Sequence, residues 1–304
     1  MKLEIIKPAP ISPGDLIGIA APAGPFEVEK FEKGVAVIKE MGFEVLVPEN
    51  LQQPDRYLAG SDAHRASLLS DLFNTPDVKG IICARGGYGS LRILDLIDFD
   101  LLRNHPKIFL GFSDISALIT AITTRSGLVA FHGPNITTLS QASPRTKASF
   151  YQAVTSDKPL EIRPGSPRII NSGKAMGVVS GGNLATLCHL LGTPYSPTYG
   201  KQIFLMEDIS EAPYQIDRML YQMKMAGCFK DISGIVMGSF HNCAEYEDIC
   251  EIVRTLFEDM QIPILGGFDI GHADENMTIP MGIRATLDTD RGVLIYREAA
   301  ITNP

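Results

Sequence analysis

The chain predicts an α/β protein with an N-terminal, doubly wound, mainly parallel sheet domain and a C-terminal, strand-rich α+β domain. Three observations carry this expectation. Over residues 1–150, short apolar runs alternate with stretches of helical apolar spacing, the β-α alternation that builds parallel sheets. Between residues 141 and 172, Ser143-Pro144, Asp157-Lys158-Pro159 and Arg163-Pro164-Gly165-Ser166-Pro167 bring turn and extended-chain chemistry, read as an interdomain linker over 151–172. Over residues 173–304 the pattern changes to many short strands and few helices.

The elements follow in order. Residues 16–21 form an apolar run that ends in the turn cluster Pro22-Ala23-Gly24-Pro25. Helical spacing over 27–41 is closed by Gly42 and followed by a strand at 43–47. Ser61 is placed to cap a helix over 61–73. A strand at 80–84 runs into Arg85-Gly86-Gly87-Tyr88-Gly89, and helical spacing resumes over 90–96. Residues 107–112 are a buried strand, and Ile115, Leu118, Ile119 and Ile122 mark the next helix. In the second half, strands are expected at 175–180, 202–206, 234–238, 263–267, 281–287 and 292–296, with helices at 182–191 and 213–225. In a doubly wound sheet the turns after the strands gather at one edge, where ligands bind. That edge would hold the turns at 22–25, at 85–89 and at Ser113.

Composition excludes several function classes. A formal charge of −8 argues against general nucleic-acid binding, which needs clustered Lys and Arg. No apolar run approaches the ~20 residues needed to span a bilayer, so no membrane partner is expected. Met1-Lys2-Leu3-Glu4-Ile5-Ile6-Lys7 lacks a signal-like apolar core, and the five cysteines, 83, 188, 228, 243 and 250, are scattered without CxxC spacing. Both fit a cytoplasmic protein with reduced thiols. The histidines and cysteines lack metal-ligand spacing, and Arg85–Gly89 matches neither common nucleotide fingerprint. No metal and no cofactor are therefore expected.

Ser113 is the most suggestive residue. It stands at a strand-to-helix corner, where a hydroxyl is exposed and the first N–H groups of the helix are free. Gly111-Phe112-Ser113-Asp114-Ile115 resembles a nucleophile elbow without its second glycine, and a simple helix cap is the ordinary reading. A serine nucleophile needs a base and a group to orient it. Of six histidines, His64, His105 and His241 read as solvated and His189 as packed or capping. His132 and His272 follow apolar runs and are both candidate bases. Glu207 follows an apolar strand, so its charge must be solvated or paired, with His or with an arginine such as Arg218. The glycines at 86 and 87 let backbone approach a ligand closely, and the N–H of Asp114 is a natural oxyanion donor. Arg85 suits a carboxylate.

In order along the chain, Pro13–Pro22, Ala84–Gly89, Gly111–Ile115, His132-Gly133-Pro134, Gly181–Leu184 with Gly192-Thr193-Pro194, Leu205–Asp208 with Tyr214–Leu220, and Gly271-His272 resemble the LD-carboxypeptidase family, which includes muramoyltetrapeptide carboxypeptidases and microcin-immunity peptidases. The resemblance implies Ser113 as nucleophile, His272 as base and Glu207 as its orienting carboxylate. It implies an oxyanion hole from the N–H groups of Gly87 and Asp114, and a typically homodimeric enzyme. The implied reaction is hydrolysis of an amide between an L-centre and a terminal D-amino acid, such as the bond from diaminopimelate to D-alanine in a muropeptide. Arg85, Gly86 and Arg218 are the expected substrate-binding residues, with either arginine taking the terminal carboxylate. Two alternatives stand: an immunity-type peptidase cutting an aminoacyl-nucleotide conjugate, and a two-domain small-molecule binding module without catalysis.

Overall fold

The computed structural model describes residues 3–302. They divide into two compact units: one of the residues to Asp157 with Met277–Gly282 and those from Ala300, the other of Lys158–Asn276 and Ile283–Ala299.

The first unit runs β1 (Leu16–Ala20), α1 (Val28–Glu40), β2 (Glu44–Leu46), α2 (Asp62–Asn74), β3 (Val78–Cys83), α3 (Ser90–Ile93), α4 (Phe99–Asn104), β4 (Ile108–Gly111), α5 (Ser116–Ala121), β5 (Ala130–His132), α6 (Ile136–Leu139) and α7 (Pro144–Thr155). The second runs β6 (Glu161–Ile162), β7 (Arg168–Asn171), β8 (Lys174–Asn183), α8 (Leu184–Cys188), β9 (Gln202–Ile209), α9 (Pro213–Met225), β10 (Gly234–His241), α10 (Tyr246–Leu256) and β11 (Ile264–Gly266). The chain then gives β12 (Ile279–Met281) to the first unit before β13 (Arg284–Asp288) and β14 (Val293–Tyr296) complete the second.

The sheet of the first unit has the order β12-β5-β4-β3-β1-β2, parallel except for β12. β2 and β3 flank β1 on opposite sides, so the winding reverses between β1 and β3. Crevices at such reversals, beyond the strands' carboxyl ends, are where α/β sheets bind ligands. Ile17, Ile19, Ile81, Ile82 and Phe109 are wholly buried, as strands covered on both faces must be.

The sheet of the second unit has the order β6-β14-β13-β8-β9-β10-β11-β7. Its centre, β8 to β11, is parallel, and the outer strands are antiparallel. The expected fold class, a mainly parallel sheet beside a strand-rich α+β unit, is the one observed.

Three local readings differ. Ser143-Pro144 is not turn chemistry: the Ser143 side chain accepts the Thr146 N–H at 3.1 Å and Pro144 opens α7, the normal pairing of cap and first helical residue. The stretch expected as a linker instead holds the end of α7 and strands β6 and β7. The single strand expected at 281–287 is two, because β12 pairs with β5 in one sheet and β13 with β8 in the other.

Candidate active site

Ser113 follows β4 and Phe112, opens a short 3₁₀ turn into α5, and holds φ at +66°. A non-glycine residue in this left-handed region costs about 1–3 kcal/mol and persists only where the surroundings enforce it. The enforcement is visible. The Phe112 N–H donates to Asn135 Oδ1 at 3.3 Å, and the Asp114 carboxylate accepts the Ser90 N–H at 2.7 Å, tying the Ser113 turn to the start of α3. Burial raises the pKa of Asp114, opposed by that same N–H. Ser113 itself is partly exposed, so the strained corner presents its hydroxyl.

The glycine turn packs directly against it. A Cβ on Gly86 would lie 2.8 Å from Ser113 Cβ and 3.0 Å from its Oγ, so only glycine fits there. The Gly24 N–H donates to Gly86 O at 3.0 Å, which joins the turns after β1 and β3. Gly87 is exposed with φ +99°, and Arg85 donates through Nη1 to Pro25 O at 2.5 Å. The three turns expected at one sheet edge are therefore together.

Arg65 ties the turns after β1 and β3 to the loop before α2. Its fully buried guanidinium donates to Pro22 O, to Gly89 O (2.9 Å) and to Gly60 O (3.0 Å), and pairs with Asp62, which also takes Arg92 at 2.7 Å. Nothing in local sequence marks it: it is one charged residue in a helix. We expect Arg65→Ala to strand three buried carbonyls and destabilise the protein by on the order of 3 kcal/mol. Denaturant unfolding measures this, and an unchanged midpoint would remove Arg65 from the scaffold.

In the second unit, Glu207 lies within β9 and is wholly buried. Its expected place at a strand end is corrected, since β9 continues to Ile209. Its partner is His272, whose Nδ1–H donates to Glu207 Oε2 at 2.6 Å. The β9–β10 register slips between Met237 and Phe240, and the chain at 268–271 comes alongside there. The Ser239 N–H donates to Ile270 O at 2.8 Å, and the Gly271 N–H to Asn276 Oδ1 at 3.0 Å. Gly271 has φ +114°, and a Cβ there would sit 2.3 Å from Glu207 Oε2. Burial opposes the His272 cation, but the charge of Glu207 and its hydrogen bond outweigh it and raise the pKa above 6.5. With Nδ1 donating, Nε2 is the lone-pair nitrogen of the neutral ring.

Asp208, which the sequence offered with Glu207 as a possible cap for the helix at Pro213, instead accepts from Asn183 Nδ2 (2.9 Å) and from the N–H groups of Ala185 (2.8 Å) and Ile209 (2.8 Å). It pins the end of β8 and the start of α8 beside Glu207. Burial and the Glu207 charge push its pKa up to about 6.

The remaining candidates sort clearly. His132 is wholly buried in β5 against Phe112, at a ring distance of 6.0 Å, and is a core histidine. His189, expected to be packed or capping, is exposed and stands at the C-terminal cap of α8, its backbone N–H donating to Ala185 O at 3.1 Å. Arg218 is exposed on α9 with its guanidinium 5.6 Å from the Tyr214 ring, and it has no ion pair with Glu207 among the described residues. No group of His, Cys, Asp and Glu among the described residues could hold a metal.

Comparison with known proteins bears on what this constellation is for. Residues 17–133 match the LD-carboxypeptidase N-terminal domain and residues 176–287 the LD-carboxypeptidase C-terminal domain. A probable murein peptide carboxypeptidase of Bacillus subtilis is 41% identical over 293 residues, covering 93% of this chain and 92% of the relative. The microcin self-immunity protein MccF of Escherichia coli is 28% identical, covering 93% of each. The crystal structure of an MccF-like protein from Bacillus anthracis superposes with a TM-score of 0.90 at 31% identity, covering 96% of this chain and 99% of that one. The chain belongs to the LD-carboxypeptidase family and is a carboxypeptidase of the serine type.

Proposed function

We propose that the protein hydrolyses the L,D-amide bond that releases terminal D-alanine from murein tetrapeptides, with Ser113, His272 and Glu207 acting as one triad. The observation that carries this reading is the fully buried Glu207 bonded to His272 at 2.6 Å, a costly burial that an orienting carboxylate explains. Ser113, strained and backed by Gly86, supplies the nucleophile.

Ser113 Oγ attacks the scissile carbonyl carbon while His272 Nε2 takes its proton. The carbonyl oxygen becomes an oxyanion held by the N–H groups of Gly87 and Asp114, each such donor lowering the barrier by roughly 2.7–4 kcal/mol. The C–N bond breaks, His272 returns the proton to the departing amine of D-alanine, and an acyl-Ser113 ester remains. Water, deprotonated by His272, then hydrolyses the ester. Arg85, one residue before the double glycine, is suited to the terminal carboxylate of D-alanine. The five cysteines are free thiols, which fits a cytoplasmic site of action.

One observation favours the immunity-type alternative. Tyr57 and Tyr88 are both exposed, pack edge to face at 5.7 Å and lie beside Gly87, and Arg56 sits 5.4 Å over the Tyr57 ring. A nucleobase could stack there. The deciding experiment follows D-alanine release from free and disaccharide-linked tetrapeptide by mass spectrometry, beside cleavage of an aminoacyl-nucleotide conjugate. Release of D-alanine is expected. Cleavage of the conjugate alone would replace the murein reading, and cleavage of neither would leave the binding module.

A further inference from the structure

Tyr246 opens α10 and takes no part in the chemistry above, yet its hydroxyl reaches backbone on which that chemistry depends. The oxygen accepts the Gly267 N–H at 2.7 Å. Its proton is shared between Gly238 O at 3.1 Å and Met237 O at 3.3 Å. Burial pushes the phenol pKa well up, so the hydroxyl keeps that proton across neutral pH. Gly266 makes room for it, since a Cβ there would lie 2.7 Å from the hydroxyl oxygen. The ring also packs 6.3 Å from that of Phe240, a contact that does not involve the hydroxyl.

The backbone it joins supports the Glu207–His272 pair. Met237 pairs with Met206 and Phe240 with Asp208, so Gly238 and Ser239 together face the single residue Glu207. A bulge of this kind re-aims the side chain beside it. Space is exhausted at Gly238, where a Cβ would lie 2.5 Å from Ile270 O and 3.1 Å from Glu207 Cβ. Gly267 begins the stretch between β11 and β12, which holds no helix or strand and carries His272. Two backbone bonds sew this stretch to the bulge: the Phe268 N–H donates to Met237 O at 3.2 Å, and the Ser239 N–H to Ile270 O at 2.8 Å. The Tyr246 hydroxyl stands at the head of that seam and bonds both of its edges.

We propose that Tyr246 is a positioning residue for the reaction, its hydroxyl clamping the start of the His272 loop to the bulge opposite Glu207. This rests on the reading of His272 as the base. Without the hydroxyl, Gly267 N–H and Gly238 O each lose a partner, the loop shifts, and the 2.6 Å bond from His272 to Glu207 lengthens. Glu207 keeps its charge, so the base loses orientation and not basicity. Turnover suffers, and substrate binding does not.

The test compares Tyr246→Phe, which removes the oxygen and keeps the ring, with Ile249→Val, which thins the buried face of the same helix. Both are expected to lower the thermal midpoint by a few degrees. Tyr246→Phe alone should also lower kcat for D-alanine release, about tenfold and with KM unchanged, because a catalytic group misplaced by ~1 Å can cost roughly 10²-fold. A second readout needs no substrate. The Nδ1–H of His272, held in a short bond to a carboxylate, gives a downfield proton NMR resonance, assigned by its loss in His272→Gln. That resonance should move upfield in Tyr246→Phe and stay in place in Ile249→Val. A kcat unchanged in Tyr246→Phe, an equal fall in Ile249→Val, or an unmoved resonance would overturn the clamp and leave the base standing. D-alanine release by His272→Gln at the wild-type rate would overturn the base, and the clamp with it. No release by folded wild-type protein would remove the murein substrate and leave the resonance to decide the clamp.

Discussion

Ser113→Ala is expected to abolish D-alanine release, with a loss on the order of 10⁶-fold in kcat as for other serine nucleophiles, while the protein stays folded. Ser113→Gly should be equally inactive and more stable. The reasoning is conformational. Ser113 sits at φ +66°, where a side chain is strained and glycine is not. Relief of that strain is partly offset by the greater freedom of glycine in the unfolded chain, leaving a net gain on the order of 1 kcal/mol. A helix cap predicts the opposite sign, since replacing a capping serine by glycine costs roughly a few tenths of a kcal/mol. Thermal or denaturant unfolding therefore separates the two readings independently of any substrate. A stability loss in Ser113→Gly would refute stored strain, and activity in Ser113→Ala would refute the nucleophile.

The sequence makes local features legible and leaves distant ones hidden, for physical reasons. Helix α9 runs over residues 213–225 as expected, because Pro213 opens it and Ile216, Leu220 and Met223 make one buried face. Ser61 caps α2 as read, accepting the His64 N–H at 3.2 Å. The corner at Ser113 is visible for the same reason, since a strand, a turn and a helix succeed one another within a few residues.

What escaped depends on pairings that spacing does not encode. Glu207 and His272 stand 65 residues apart, and they meet beside a slipped register at Gly238-Ser239 that no spacing announces. Residue pattern alone left His132 and His272 equal, since both follow apolar runs. Only tertiary structure shows His132 sealed in the core. Arg65 carries no motif, because its role is to answer carbonyls from three separate turns. Asp208 was overshadowed by its neighbour, although a carboxylate accepting three N–H donors is what holds α8 beside Glu207. Helix α10 went unread despite buried Ile249, Cys250, Val253 and Leu256 at helical spacing, a signal that was available.

The pair formed by Glu207 and His272 leads to the second large effect, in which charge and geometry can be separated. In the wild type, burial disfavours the imidazolium, and Glu207 more than restores it, so the His272 pKa lies above 6.5. In the proposed triad, only neutral His272 could accept the Ser113 proton. Activity should therefore fall as pH drops through that raised pKa, placing the acid limb of kcat/KM above 6.5. In Glu207→Gln the charge is gone and burial remains, so the acid limb should move to lower pH. The plateau should also fall by on the order of 10⁴-fold, because an amide can stabilise the wrong tautomer and cannot stabilise the cation. Asp208, held up at about 6, contributes a smaller charge to the same histidine, and Asp208→Asn should shift the limb slightly in the same direction. Gly271→Ala attacks the same bond differently. The new Cβ would lie 2.3 Å from Glu207 Oε2 at a φ of +114°, so the contact must open while the carboxylate stays charged. Its plateau should collapse with the limb still displaced upward, since a nearby charge acts beyond hydrogen-bond range and the bond does not. A pH profile of both variants reads the two contributions apart. Limbs that stay at the wild-type pH in both would show that Glu207 does not set the base.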